Sequence, residues 1–464
     1  MAEKRPHTHF IGIGGTGLSA MARVLLERGE KVSGSDRSPS SLAAEIQQAG
    51  AQVFIGHAAE NVQGADLVVR SSAVPEDNVE VVAAKAAGIP ALRRVDYLDR
   101  LLEGQMTIGV AGSHGKTSTT SMIVWMLTQL GLAPGFIVGG QVRNLGVNAA
   151  AGDGELFVIE ADEYDYMFWG LKPTIAVVTN IEHDHPDCFP TERDFMAAFE
   201  GYTDRITSDG TLVACLDDPG ASHLLAYAGF REKHWLSYSI GDRAADYLAC
   251  NLVSRPQSGY QFDFFRGRDF ITTVTLAVPG EHNVRNAMAA LVTADLLNLE
   301  LDAAAQTLAT FVGSGRRFEI IGQAAGVRVI DDYGHHPTEI KATLQAARAR
   351  YPGARIWAVW QPHTYSRTLG WLEQFGSSFS EADKVIVTGV YAAREAPPAG
   401  FDLDQIADAI EKPRARALQE FADVSRQLLD EMSEGDVLIV FSAGDATQVS
   451  AAVLAGLQQK EIVS

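Results

Sequence analysis

The segment Gly112-Ser-His-Gly-Lys-Thr-Ser118 lies between an apolar run at 107–111 and a helix-forming run at 119–127. A strand that ends in glycines and reopens as a helix turns backbone N–H groups toward an anion at the helix N-terminus. Strand, glycine loop with Lys-Thr and helix in this order are the layout of a phosphate-binding loop. The glycines Gly112 and Gly115 free the backbone, and Ser113 and His114 complete the loop. Lys116 is placed to reach β- and γ-phosphates, and the Thr117 hydroxyl to hold Mg²⁺. The loop is the short GxxGK[ST] form, because Val110 stands where the longer pattern has its first glycine. A buried strand feeding a helix in this way belongs to an α/β fold with a largely parallel sheet.

With 464 residues, the chain has room for about three domains at roughly 150 residues each. A hydrophobic content of 46% lets each bury a core. The formal net charge of −20 argues against sequence-independent nucleic-acid binding, which needs a basic face. Cys188, Cys215 and Cys250 are too few and too far apart for a disulfide framework or a zinc site, and fit a reducing cytosol. No signal peptide fits ahead of the strand-like run at 9–13, and no apolar run is long enough to span a bilayer. The expectation is a soluble cytoplasmic protein with no nucleic-acid partner and no membrane insertion.

Strand and helix patterns alternate along the chain. Strands are expected at 10–13, 31–35, 52–55, 67–70 and near Ala91, then at 107–111, 156–161, 174–179, 211–214 and around 271–278. The segment 260–279 is richer in aromatic and β-branched residues and reads as antiparallel. A third α/β unit starts near Ile320, with strands near 327–331, 355–360, 384–388 and 437–441. Linkers fall near 102–105 and 313–316. The domains are therefore expected at 1–103, 104–315 and 316–464.

Three further clusters carry chemistry. Gly12-Ile-Gly-Gly-Thr-Gly-Leu-Ser19 ends the first strand and opens a helix, a second anion site suited to a diphosphate. Asp36 ends the next strand, where an acid often binds a ribose hydroxyl. Alone, this motif serves NAD, FAD or a UDP-sugar equally well. Val158-Ile-Glu-Ala-Asp-Glu-Tyr-Asp165 sets acids at another strand end, with Glu160 the candidate Mg²⁺ ligand and Asp165 a solvated loop charge. Thr179-Asn-Ile-Glu-His-Asp-His-Pro-Asp187 follows a further strand. His185 there is a candidate for a second Mg²⁺ site, although histidine is an unusual magnesium ligand.

Taken in order, GIGGTGLS, GSHGKTSTT, EADEYD, NIEHDHPD, PGEHNVRNAMAA, GRRFE, DDYGHHPTEI, QPHTYSRT and VYAARE resemble the Mur ligases, the ATP-dependent amide-forming enzymes of peptidoglycan synthesis. The resemblance covers essentially the whole chain and is nearest to the branch that adds L-alanine to UDP-N-acetylmuramate. It implies a Rossmann-like N-terminal domain for the UDP-substrate, a central P-loop ATPase-type domain with a mixed sheet, and a Rossmann-like C-terminal domain that brings the amino acid. It further implies ATP and two Mg²⁺ ions, and a monomer or weak homodimer. By motif, Gly14, Gly15, Gly17, Leu18, Ser19, Asp36 and Ser71 match the UDP-substrate site. Residues 112–118 with Asn283, Asn286, Arg317, Asp332 and His335 match the ATP site. Thr117, Glu160 and His185 match the metal ligands, and Lys116, Glu160, His185 and Arg317 the catalytic set. His363 and Arg367 match the clamp on the incoming amino acid carboxylate. Glu163 and His183 are candidate bases for the amine, each equally suited to a structural hydrogen bond.

Three departures stand out. Ser118 replaces a common Thr with its hydroxyl kept, Thr364 replaces an Arg found in many alanine-adding members, and Leu18 replaces Met. No lysine occurs between Lys172 and Lys233, which fits the branch that lacks a carbamylated lysine. The alternative function is recycling, in which the same muramate nucleotide is joined to a preformed L-Ala-γ-D-Glu-meso-diaminopimelate tripeptide. A nicotinamide-dependent oxidoreductase rests only on the N-terminal glycines. A non-catalytic nucleotide sensor is disfavoured by the intact Lys116, Glu160, His185 and Arg317.

Overall fold

The computed structural model describes residues 5–256, 259–393 and 395–463. They form two compact units. One comprises Met1–Cys250, Asp263–Thr272 and Arg285–Leu308, and the other Asn251–Phe262, Thr273–Val284 and Ala309–Ser464.

The first unit holds two sheets. The N-terminal sheet has β1 (His7–Ile11), β2 (Lys31–Asp36), β3 (Gln52–Ile55), β4 (Leu67–Arg70) and β5 (Ala91–Arg93). All pair in parallel, in the order β3-β2-β1-β4-β5. The order reverses at β1, whose C-terminal end carries the glycine motif. A sheet of this kind takes its ligand at that switch point. Helix α1 (Thr16–Glu27) buries Leu18, Met21, Val24 and Leu25, spaced to share one helix face. Helices α2 (Ser41–Gln48), α3 (Val79–Ala86) and α4 (Arg94–Leu101) complete this part.

The central strands of the same unit are β6 (Met106–Ala111), β7 (Gly135–Val142), β8 (Val147–Ala150), β9 (Leu156–Glu160), β10 (Ile175–Val178), β11 (Thr211–Cys215), β12 (His234–Ile240) and β13 (Tyr247–Arg255), which begins there. Their order is β13-β12-β11-β10-β6-β9-β7-β8. The pairs are parallel except β7 with β8, so the sheet is mixed. Central strand β6 is buried beyond Met106 and apolar apart from Thr107, and α5 (Lys116–Gln129) leaves its end. Strands β14 (Gly259–Arg266) and β15 (Asp269–Leu276) are joined by two residues, a connection that only antiparallel strands permit. This is the antiparallel character expected for 260–279. Helices α6 (Glu192–Asp204), α7 (Pro219–Phe230), α8 (Glu281–Leu296) and α9 (Leu301–Leu308) follow the central strands.

In the second unit, β16 (Glu319–Ala324), β17 (Val327–Asp332), β18 (Ile356–Trp360), β19 (Lys384–Val387), β20 (Arg416–Ala417) and β21 (Val437–Phe441) are ordered β16-β17-β21-β18-β19-β20. Only edge strand β16 runs antiparallel to its neighbour. Cores lie on both faces, one around Trp360, Phe375 and Phe379, the other around Trp357, Val424 and Val453. Arg394, in the last of the sequence motifs, lies outside the described residues.

One buried acid ties the N-terminal sheet together. Glu80 is fully buried on α3. Its carboxylate accepts from Ser35 Oγ (2.5 Å), Asn61 Nδ2 (2.5 Å) and Ala58 N–H (3.3 Å), and meets His57 Nδ1 (3.3 Å) and His9 Nε2 (3.7 Å). Burial alone would raise its pKa. The donors from His9, Ser35 and Asn61 outweigh burial and bring it down to about 2. A carboxyl held below its unfolded value stabilises the fold above that value and loses the contribution as pH falls through the folded one. Glu80→Gln should therefore cost about 3 kcal/mol at pH 7, with the gap from wild type closing as pH falls from about 4.5 toward 2. Denaturant melts across that range check this. A gap that stays constant with pH contradicts it.

Candidate active site

The glycine loop between β6 and α5 is built by backbone that side chains would obstruct. Gly112 sits at φ +134° and Gly115 at φ +82°. A Cβ on Gly112 would lie 2.1 Å from Thr179 Oγ1, and one on Gly115 2.6 Å from Asn286 Oδ1. The loop is clamped from the β10 end. Thr179 Oγ1 and Asn180 Nδ2 donate to the His114 carbonyl (2.6 and 2.9 Å), His114 N–H donates to Asn180 Oδ1 (2.9 Å), and Ser113 Oγ donates to the Glu182 carbonyl (2.6 Å). Helix α5 starts at Gly115 with no side-chain cap and no acid in its first turn. Its first N–H groups thus present positive charge, the arrangement that binds phosphate.

Lys116 folds back over this loop. Its ammonium donates to the Gly112 carbonyl and to the Ser113 carbonyl (3.1 Å), and pairs with both oxygens of Glu163 (3.0 and 2.9 Å). Burial pulls the ammonium's pKa down, but Glu163, Asp162 and Glu160 outweigh it and hold the group above its ordinary value. Burial pushes the Glu163 carboxyl up, and Lys116 and His185 overcome that and leave it below the usual range. Both groups are therefore charged at neutral pH. Glu160 accepts from Thr117 Oγ1 (3.0 Å) and Gly139 N–H (2.7 Å). Burial is the larger influence there and raises its pKa. Two hard oxygen donors, one of them a carboxylate destabilised by burial, fit a small divalent cation.

His185 stands at φ +57° and meets Glu163 Oε1 (3.4 Å) and the ring of Tyr164 (centroids 5.0 Å apart). Thr117 and Glu160 are thus in direct contact, while His185 is tied to the Lys116–Glu163 pair. Glu163, a candidate base by sequence, is the partner of the loop lysine. His183 Nε2 is bonded to the Phe189 carbonyl (2.8 Å) and its ring packs on Phe195, a structural position.

At the end of β1, Gly14 N–H donates to Asp36 Oδ2 (2.9 Å), so this acid holds the loop itself. Ser19 Oγ donates to the Thr16 carbonyl (3.0 Å). Leu18 is in the core, which leaves only its backbone for a ligand. Ser71 N–H bonds the Ile11 carbonyl (3.1 Å), and a Cβ on Gly12 would touch the Ser71 Cβ at 3.3 Å. The guanidinium of Arg94, a residue that sequence reading passed over, lies on Gly17; a Cβ there would come 2.4 Å from Cζ. The doublet Arg93-Arg94 heading an amphipathic helix was the available signal.

The second unit gathers its own set. Arg317 pairs with Glu339 (3.1 Å) and lies over Tyr333 (5.2 Å). His335 N–H donates to Glu339 Oε2 (3.1 Å), and the His335 and His363 rings are 5.6 Å apart. Asp332 accepts from Phe318 N–H (2.8 Å) and Gly334 N–H (2.7 Å), and burial raises it to about 6 against the pull of Arg317. His363 stacks on Tyr391 (5.7 Å). Arg367 is buried over Trp371 (5.8 Å). Thr364, at φ +60°, accepts from Arg367 N–H (3.4 Å) and caps that short helix. Asn283 Nδ2 donates to the Pro279 carbonyl (2.7 Å). Arg317, Asp332, His335, His363, Arg367 and Asn283 thus belong to this unit. Asn286 belongs to the first, beside Gly115.

A phosphate-type loop whose lysine is paired with a neighbouring carboxylate thus stands in a chain of three helix-covered sheets. Three family models match the chain: the "Mur ligase family, catalytic domain" over 7–105, the "Mur ligase middle domain" over 110–294, and the "Mur ligase, glutamate ligase domain" over 316–444. The chain belongs to the Mur ligase family and has its three-domain α/β fold. It is 41% identical to a UDP-N-acetylmuramate–L-alanine ligase of Pelotomaculum thermopropionicum over 449 residues, 96% of each chain. It is 42% identical to one from Renibacterium salmoninarum, covering 97% of this chain and 95% of that one. Among solved structures it resembles the UDP-N-acetylmuramate–alanine ligase of Thermotoga maritima, with TM-score 0.82, 28% identity, and 98% and 99% of the chains covered. It also resembles a murein peptide ligase of Psychrobacter arcticus, with TM-score 0.70, 26% identity and the same coverage.

The Lys116–Glu163 pair generates a prediction. Removing one member of a buried pair strands the other, at a cost of about 3–5 kcal/mol. Glu163→Gln and Lys116→Met should each destabilise the chain by that order, and the double variant by clearly less than their sum. A denaturant double-mutant cycle measures it, and strict additivity contradicts the coupling.

Proposed function

We propose that this chain joins L-alanine to the lactyl carboxylate of UDP-N-acetylmuramate with hydrolysis of ATP to ADP and phosphate, a step of peptidoglycan precursor synthesis. The observation that carries the reading is 41% identity to an alanine-adding ligase over 96% of both chains, joined to an uncapped phosphate loop with a charged lysine. The domains act as 1–103 for the UDP-sugar, 104–315 for ATP and 316–464 for the amino acid. No helix among the described residues is long and apolar enough to cross a membrane. We place the enzyme in the cytoplasm, as a monomer or weak homodimer.

A carboxylate resists attack by an amine, because attack adds charge to an already delocalised anion. Phosphorylation removes the obstacle. A carboxylate oxygen bonds to the γ-phosphorus, the bond to ADP breaks, and the acyl phosphate carries a good leaving group. Repulsion between carboxylate and triphosphate opposes this step. The Lys116 ammonium and the first N–H groups of α5 are assigned the role of offsetting it, a reading supported by the uncapped start of α5 and the charged lysine at the loop. Thr117 and Glu160, with His185 for a second ion, are the residues to hold Mg²⁺, which supplies further charge neutralisation. The amine nitrogen then bonds to the acyl carbon, and the C–O bond to phosphate breaks with loss of a proton from nitrogen. Arg317, Asp332 and His335 are assigned to the nucleotide, and His363 and Arg367 to the alanine carboxylate. Orientation of the amine is worth several kcal/mol.

The test is phosphate release from Mg·ATP and UDP-N-acetylmuramate with L-alanine, with L-Ala-γ-D-Glu-meso-diaminopimelate, or with no amine. Release with L-alanine and not with the tripeptide is expected. Release only with the tripeptide moves the chain to the recycling reaction and overturns the assignment of His363 and Arg367. No release with either sinks the ligase reading.

A further inference from the structure

Glu339 joins two residues assigned above to the nucleotide. It stands in the first turn of α10 (Pro337–Arg350), whose N-cap is His336. A side chain at this position leans back toward the residues before the helix. Its Oε2 accepts from His335 N–H (3.1 Å) and lies 3.5 Å from His335 Nδ1. Its Oε1 accepts from Arg317 Nη1 (3.1 Å), 22 residues earlier in the chain. The Glu339 side chain is only 10% exposed. Closing the start of a helix explains the bond to His335. It does not explain the bond to Arg317, which comes from a different segment.

Arg317 sits in a turn that is costly to build. Its neighbours Arg316 and Phe318 both have positive φ, +56° and +47°. Both guanidinium groups lie over the Tyr333 ring, at 5.1 Å for Arg316 and 5.2 Å for Arg317. Arg316 is tied to the Ser442 and Gly444 carbonyls, whereas Arg317 is tied to Glu339. The Tyr333 ring in turn meets the His335 ring edge-on (5.4 Å). Arg317, Tyr333 and His335 thus form one contiguous group, and Glu339 bonds both of its ends. The buried Asp332 carboxylate feels the charges of Arg317 and Glu339 together. Fixing a long arginine side chain costs rotamer entropy. A guanidinium held in advance spares the bound state that cost.

We propose that Glu339 is a positioning residue that holds Arg317 and His335 in register for the phosphates of ATP. This rests on the assignment of those two residues to the nucleotide under the ligase reading above. A guanidinium carries five N–H donors in a flat fork. The bond from Nη1 to Glu339 does not engage the Nε–Nη2 edge, which matches a pair of phosphate oxygens. The carboxylate therefore orients the fork without using that edge. Glu339 touches no substrate in this account and acts through Arg317. The opposite reading, in which Glu339 competes with phosphate for Arg317, predicts the opposite sign for ATP affinity.

The experiment compares the full chain as wild type, Glu339→Gln, Glu339→Asp, Arg317→Met and the double variant of Glu339→Gln with Arg317→Met. Titration with Mg·ATP, kcat for phosphate release and the melting temperature are read for each. Glu339→Gln should weaken ATP binding several-fold and lower kcat roughly ten- to a hundredfold, the scale of a misplaced group. Its amide oxygen still accepts from His335 N–H, and the Arg317 side chain is 26% exposed, so water takes up the vacated bond. The variant should therefore melt close to wild type. Glu339→Asp keeps the charge at the helix start but is one methylene short of Arg317, and should show the same loss of kcat. With Arg317→Met present, Glu339→Gln should add far less loss than it causes alone. Unchanged kcat, tighter ATP binding, or strict additivity with Arg317→Met overturns the proposal. Losses that track a lowered melting temperature, or variants that fail to fold, give Glu339 a structural role and also overturn it. Wild type is read first. If it binds ATP but releases no phosphate with UDP-N-acetylmuramate and L-alanine, the ligase reading falls, and the ATP titrations still decide this proposal. If it binds no ATP, both fall.

Discussion

The Lys116 ammonium, held charged in a buried place by Glu163, is what the rest of the first unit is arranged around. Neither partner survives there alone, since burial opposes the charged form of each. The pair also ties three segments together: the glycine loop through Gly112 and Ser113, the β9 end through Glu163, and the β10 end through His185. Glu160 on β9 adds a second tie to α5 through Thr117. The parallel neighbours β9, β6 and β10 bring their C-terminal ends to one place, so the sheet topology delivers these charges without any loop having to travel.

Strained backbone occurs at these places as well as at turns elsewhere in the chain. His185, Asp165 and Tyr166 in the first unit, and Arg316, Phe318 and Thr364 in the second, adopt positive φ without being glycine. Each costs about 1–2 kcal/mol relative to ordinary backbone. The surrounding hydrogen bonds hold them. Arg316 N–H bonds Glu319, Phe318 N–H bonds Asp332, and Thr364 caps its helix. Such positions aim side chains that regular helices and strands would point elsewhere.

Much of this was legible in the sequence. The strands at 52–55, 67–70 and 437–441 coincide with β3, β4 and β21, since continuous apolar runs bounded by turn residues leave little choice. The first strand begins earlier than expected, at His7, because His7, Thr8 and His9 are polar yet buried, with His7 and His9 both hydrogen-bonded to Ser33 Oγ. Strands β7 and β8 were not anticipated. Gly135, Gly139 and Gly140 break the apolar pattern of β7, and Gly139 is required because a Cβ there would press on the Glu160 carboxylate. The loop residues 112–118 and Glu160 were readable because strand, glycine and helix signals sit together in the chain. The role of Glu163 and the position of Arg94 were not, because each depends on a partner, Lys116 or Gly17, that lies 47 or 77 residues away.

The central claim is that the Lys116 site turns a carboxylate into a phosphoryl acceptor. It is tested most directly by running the reaction on UDP-N-acetylmuramate labelled with ¹⁸O in both lactyl carboxylate oxygens. The account predicts one labelled oxygen in the released phosphate and one in the new amide, because the carboxylate oxygen bonded to phosphorus leaves with it. Unlabelled phosphate, or label carried into AMP, would contradict it.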